Sequence, residues 1–297
     1  MSQPWDDQPT QRYLIPLWDP PAPPPPPRRR RVWPTLLALV VVLAVAAGGW
    51  YLGTGRTPSL PLVTQPSVAP VEATRTVPTP GHEESDEPLG TPPAAPDSDV
   101  YGFIATQDDG VTPVAYDPCR PVEVVLSTDG APVDAEAMVV DALARMTEVT
   151  GLQFRYEGTT DELPGSDRAA YQPDRYGDRW APVLVGWRTP EQEPALAGDV
   201  AGLGGSASAG PEGGPVAYVT GSVTLDGPEY QTLLADGDEA LGRAILLHEL
   251  GHVVGLAHVW DEDQLMAATT SGDVLDFADG DLAGLARLGA GACVPQL

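Results

Sequence analysis

His248-Glu249-Leu250-Gly251-His252-Val253-Val254-Gly255-Leu256-Ala257-His258 is the stretch from which the rest of the 297-residue chain is read. A helix over residues 238–254 puts His248 and His252 four apart on one face, with both imidazoles pointing the same way. Glu249 then projects beside that pair and reaches a metal-bound water without having to be a ligand itself. Gly255 supplies the positive φ that lets the chain leave the helix, and His258, three residues on, swings back as a third ligand. Three neutral nitrogens suit Zn²⁺, and three protein ligands leave the fourth tetrahedral position open, the pattern of a catalytic rather than a structural zinc site. The chain has four histidines, and only His82, in a Pro-rich tract, lies outside this stretch. The competing reading, a buried helix whose histidines are satisfied core residues, leaves that concentration unexplained.

These residues resemble the active-site signature of the metzincin metalloproteases, and among their branches most closely the matrixins. The resemblance covers roughly residues 115–297. It implies an α+β fold in which a mixed, twisted sheet carries the active-site helix and a closing C-terminal helix. Gln264-Leu265-Met266 follows His258 at a matrixin-like interval, so the resemblance makes Met266 the methionine that supports the zinc site from below without ligating it. The stretch Gly280 to Gly289 resembles the closing helix. Two positions depart from the pattern. Val259 follows the third histidine where the better-known branches carry a polar residue or proline, and Ala267-Ala268 follows Met266 where matrixins usually have Tyr-Pro. No side-chain oxyanion stabiliser and no further ligand are therefore assigned.

The activity so implied is that of a zinc endopeptidase. An ion on His248, His252 and His258 lowers the pKa of a bound water towards ~7 and polarises the scissile carbonyl, while Glu249 takes the water's proton and passes it to the departing amine. The rival from another class is a catalytically silent binding or structural module on the cell surface; a glutamate kept beside the ligands argues against it. Matrixins often hold a second, structural zinc through further histidines. Only His82 remains here, so one catalytic Zn²⁺ is expected. Calcium stays open, because aspartates abound but no EF-hand-like spacing occurs.

Composition divides the chain. Residues 1–27 are polar and rich in proline, a tail that lacks the apolar surface to fold alone. Arg28 to Arg31 abut Val32 to Leu52, an uncharged run long enough to cross a bilayer, flanked by Trp33 and by Trp50-Tyr51. The arginine block predicts a single-pass anchor at 32–52 with residues 1–31 in the cytoplasm and everything after it outside; cleavage near Ala46, at Ala44-Val45-Ala46, with secretion is the alternative. Residues 53–99 read as a disordered, Pro/Thr-rich stalk, and residues 100–297 as the catalytic domain. The net charge of −26 belongs almost wholly to the part after the apolar run, which repels nucleic acid, so the expected partner is a peptide or protein substrate. Nothing in the chain speaks to its oligomeric state.

Within the domain, Pro121 to Ser127 reads as a strand, and Pro132 opens a helix with Ala135, Met138, Val139, Ala142, Leu143, Met146 and Val149 on its apolar stripe, ended by Gly151. Leu152 to Tyr156, Ala181 to Trp187 and Val216 to Leu225 read as further strands, with a long polar loop over 158–179. In Gly198 to Gly214, the run Leu203-Gly204-Gly205-Ser206-Ala207 resembles by its place in the order the edge strand that lines the metzincin cleft and takes up substrate as an added strand; a plain flexible loop is the alternative. Cys119 and Cys293 are the only cysteines, and outside the membrane they are expected to form one disulfide tying the start of the domain to its end. The sharper alternative makes Cys119 a latency ligand on the zinc.

Overall fold

A computed structural model describes residues 76–297, apart from 82, 83, 212 and 271, together with the backbone of β1 (Tyr13–Leu14), a two-residue strand antiparallel to β10 (Thr269–Thr270). The 32–52 anchor, most of the N-terminal tail, the stalk up to residue 75 and His82 lie outside the described residues. Among the described residues no helix is long and apolar enough to cross a membrane.

The fold is α+β with a mostly parallel sheet. Strands β4 (Val122–Ser127), β5 (Phe154–Thr160), β6 (Val183–Arg188) and β8 (Ala217–Asp226) run parallel in the order β5-β4-β6-β8, and β3 (Ala115–Tyr116) lies parallel to the start of β8. β7 (Gly202–Ala209) pairs antiparallel along β8 and has no second strand partner among the described residues. The expected edge strand is therefore an edge strand. β4 and β8 are buried almost without alternation, as central strands covered on both faces are.

Five helices complete the domain: α1 (Ala135–Thr150), α2 (Pro173–Tyr176), α3 (Gly227–Asp236), α4 (Glu239–Val254) and α5 (Asp279–Gly289). α1 buries Val139, Ala142, Leu143, Met146 and Val149, which share one core with β4, β8 and α4. Gly151, at φ 77°, ends α1 as expected. α3 was not anticipated. Its start is nonetheless written in Asp226-Gly227-Pro228-Glu229, where the Asp226 carboxylate accepts from the Glu229 N–H at 3.0 Å and Pro228 occupies the first turn. The 158–179 segment is also less of a loop than its composition suggests. β5 runs on to Thr160, and the remainder folds around a nearly buried Glu162–Arg168 ion pair that Tyr176 and Gln172 also join.

The boundary expected at 99/100 is too late. Asp178 holds both the N–H and the hydroxyl of Thr79, at 3.1 and 2.5 Å. The Glu84 N–H donates to the Cys119 carbonyl and the Leu89 N–H to that of Pro118, while the Glu84 carboxylate pairs with Arg155. Proline-rich composition signals a segment without a core of its own; it does not prevent its backbone from being fastened to one.

Cys119 and Cys293 are bridged, with 5.4 Å between their Cα atoms, so Cys119 is not available as a latency ligand. The buried Asp117 carboxylate ties the same two segments by accepting from the Cys119 and Val294 N–H groups and pairing with Arg120. A covalent link between residues 174 apart removes about 5 kcal/mol of unfolded-chain entropy in the loop-closure account. Replacing both cysteines by serine is expected to lower unfolding stability by an amount of that order, measured by denaturant titration of the oxidised protein against the variant.

Candidate metal centre

α4 has no polar face to show to water. Every residue from Ala244 to Val254 is buried, including His248, Glu249 and His252. The helix ends at Gly255, whose φ of 118° no side-chain-bearing residue adopts without strain, and whose N–H reaches the carbonyls of Gly251 and His252 at 3.1 Å each. β9 (Leu256–Ala257) then pairs with β2 (Gly102–Phe103), and the Ile104 N–H donates to the Gly255 carbonyl. His258 is thus delivered from a fastened strand rather than from a free loop.

The three imidazoles converge. Their Nε2 atoms are 3.1 Å (His248 to His252), 3.2 Å (His248 to His258) and 3.0 Å (His252 to His258) apart. Nδ1 of His248 lies 2.6 Å from the Leu265 carbonyl and Nδ1 of His252 lies 2.8 Å from that of Leu256. A carbonyl only accepts, so each Nδ1 carries the proton and each of these Nε2 atoms presents a lone pair. The close Nε2 contact between His248 and His252 therefore joins two acceptors, an arrangement that makes sense around a cation. Nitrogens bound at about 2.0–2.1 Å in a tetrahedral arrangement sit about 3.3 Å apart, close to what is found. This group is able to hold a metal ion. The other described group with metal-ligand spacing, Asp117 with Cys119 and Cys293, is committed to the disulfide.

Burial keeps all three rings neutral. It holds His248 well below the ordinary imidazole range, with the other two histidines adding to the effect. Burial, and then His258, pushes His252 down to about 3, and burial pushes His258 down to about 4. Glu249 is fully buried, and neither carboxylate oxygen has a hydrogen-bond partner among the described residues. Burial drives its pKa well above the ordinary value; the nearby Gly204 N–H opposes that shift without completing a hydrogen bond.

β7 lies directly on this helix. A Cβ at Gly202 would come within 2.9 Å of both Cγ and Oε1 of Glu249, and one at Gly204 would collide with the Glu249 backbone. Of the expected edge residues, Leu203, Gly204, Gly205 and Ala207 are in the strand, while Ser206 turns its hydroxyl inward, donating to the Val253 carbonyl at 2.7 Å and meeting the Tyr116 hydroxyl at 2.8 Å. Ser206 therefore ties strand to helix and does not present its hydroxyl to a ligand.

Met266 is buried against Gly251, where a Cβ would stand 2.6 Å from its sulfur. The glycine inside the motif is thus required by the methionine beneath it, a link that the motif residues alone do not reveal. Two further residues escaped sequence reasoning. The buried Asp281 carboxylate accepts from the N–H groups of Leu265 (2.7 Å), Met266 (3.3 Å) and Ala278 (3.0 Å), and burial still leaves its pKa raised. The Gln264 side-chain oxygen accepts from Gly280 and Asp281. Together they clamp the Met266 turn to the start of α5. The Leu265 carbonyl then carries that placement to His248. The one available signal was Asp279-Gly280-Asp281 opening a helix.

No family model matches this chain, and no characterised protein matches it in sequence.

Two stability effects follow from the burial of these groups. Unfolded, the histidines titrate near 6.5; folded, they resist protonation down to about 4 or lower. Between those values the unfolded chain binds more protons, so metal-free protein is expected to lose stability as the pH falls from about 6.5 through about 4, read from melting temperature against pH. Glu249 has the opposite sign. Its raised pKa means that folding grows costlier as pH rises above the unfolded value, so Glu249→Gln is expected to stabilise metal-free protein by about 1–3 kcal/mol at pH 7. Denaturant titration of the two proteins without metal checks it.

Proposed function

We propose that the domain is a zinc-dependent endopeptidase of the metzincin type, with His248, His252 and His258 holding the ion and Glu249 as general base. The observation that carries this reading is the fully buried Glu249 carboxylate, without a hydrogen-bond partner among the described residues, on the residue next to one of the convergent histidines. A purely structural site gains nothing from such a group and is destabilised by it. Neutral nitrogens with three protein ligands favour zinc over calcium or magnesium, which take oxygen.

Zinc bound there would activate water and polarise a carbonyl. The chain's own residues do the rest. An opposite charge close to Glu249 offsets its desolvation and returns it to the carboxylate form. As a carboxylate it takes a proton from the attacking water and delivers it to the departing amine nitrogen, so one side chain serves both half-steps. The Gly202 and Gly204 positions keep β7 against Glu249, and the free edge of β7 offers backbone donors and acceptors to an extended peptide. Met266, packed on Gly251, supports the ligand helix and makes no bond to the ion.

The closing helix α5, the Met266 turn and the antiparallel edge strand support assignment to the metzincins, and the His258-to-Met266 interval supports the matrixin branch. We place the domain outside the cell on the 32–52 anchor, in keeping with its disulfide. That topology puts residues 1–31 across the bilayer from the domain, whereas the structure pairs β1 with β10, so the two arrangements exclude each other.

The test is hydrolysis of a broad peptide library by the full-length protein loaded with zinc. Chelation should abolish cleavage and added zinc restore it, and Glu249→Ala should lower the rate by roughly 10²–10⁴-fold while the protein still takes up one zinc per chain. Cleavage that survives both treatments, or zinc uptake without cleavage of any peptide, rules the reading out; the second result belongs to a silent binding module.

A further inference from the structure

Trp260 is the most exposed large apolar residue described, at 98 % accessibility, whereas Trp187 is almost fully buried. A fully displayed indole offers a large, electron-rich apolar surface to whatever binds beside it. Its place narrows what that is. Trp260 stands two residues beyond His258, and of the three ligand histidines His258 alone is only partly buried. Trp260 is thus tethered within two residues, at most about 7 Å of extended backbone, of the least buried of the three histidines. The backbone beneath the indole is fastened: the Val259 N–H donates to the Met266 carbonyl at 3.0 Å, Val259 bridges Ala267, and the Gln264 N–H returns to the Asp261 carbonyl. The indole is presented by a braced turn.

We propose that Trp260 is a specificity-determining residue for the hydrolysis proposed above, receiving a basic side chain, arginine or lysine, of the bound peptide. The inference rests on that reading of the site. Its chemistry comes from the neighbours. Asp261, Glu262 and Asp263 follow Trp260 directly and all three are exposed. The face of an indole is electron-rich and attracts a guanidinium or ammonium group, and carboxylates beside it strengthen the field in the same sense. The same carboxylates repel anionic lipid headgroups, which disfavours a membrane surface as the occupant. A chain with net charge −26 is equally disfavoured as a partner for itself at this patch.

The experiment has two arms on the full-length protein, so that it separates this inference from the hydrolase reading. In the first, the cleavage profiles of wild type, Trp260→Ala and Trp260→Phe are compared on peptides differing only in Arg, Gln or Glu at each position around the scissile bond. Wild type should prefer Arg at one position, Trp260→Ala should lose about tenfold of that preference, chiefly in KM, and Trp260→Phe should keep part of it. In the second, zinc-loaded Glu249→Gln protein is titrated with the same peptides, fluorescently labelled, with and without Trp260→Ala. Arg-selective binding that needs Trp260, in a protein whose wild type cuts nothing, sustains the contact between Trp260 and a basic side chain, sinks the hydrolase and with it Trp260's part in cleavage. Cleavage with no basic preference, or a preference that Trp260→Ala leaves intact, overturns this inference and spares the hydrolase. Binding of neither peptide set, or Trp260-dependent binding to phosphatidylserine vesicles in place of peptide, overturns it as well.

Discussion

Lone pairs of neutral imidazoles aimed at a common point repel one another. Such an arrangement persists only if the surrounding structure holds it, and most of this domain bears on that task. The buried, apolar α4 fixes two of the rings at helical spacing, and Gly255 with the short β9–β2 pair returns the third to them. Asp281 and Gln264 then lock the turn that faces His248. The centre is preorganised by packing, so that a metal ion completes a geometry already in place and does not have to create it.

The second requirement is close approach. β7 presses on α4 at Gly202 and Gly204, and Met266 presses on it at Gly251; a methyl group at Gly204 would meet the helix backbone, and at the other two it would displace the Glu249 or Met266 side chain. This explains an apparent paradox of composition. The glycines of 198–214 resemble those of a flexible loop, yet two of them, Gly202 and Gly204, occupy a strand pressed so closely on Glu249 that a Cβ would collide with it. What they confer here is thinness rather than mobility.

How far the residues revealed the fold depended on whether the physics was local. The convergence of the three histidines was legible because two of them share one helical face and the glycine that ends the helix is next in line. Strands β4, β5, β6 and β8 and helix α1 were legible from apolar runs bounded by turns, to within a few residues, whereas β7 was suggested only by its place in the order. Other features rest on hydrogen bonds to main chain, which leave little trace in residue identity. Asp281 looks like any acid at a helix start until its carboxylate is seen bridging Leu265, Met266 and Ala278. The docking of residues 79–99 was missed for the same reason, since Glu84 and Leu89 bind the domain through their amides. α3 had a readable start signal and was simply passed over in favour of the motif that follows it.

The partners of the two buried ligand rings are main-chain carbonyls, those of Leu265 and Leu256. Peptide carbonyls are uncharged, so they orient an imidazole without the extra electron density that a carboxylate would lend it, which would leave an ion held there the stronger Lewis acid. They also belong to every amino acid alike. Sequence drift at positions 256 and 265 alters the packing but leaves the acceptor in place, so the orientation of both rings is insulated from the commonest kind of genetic change.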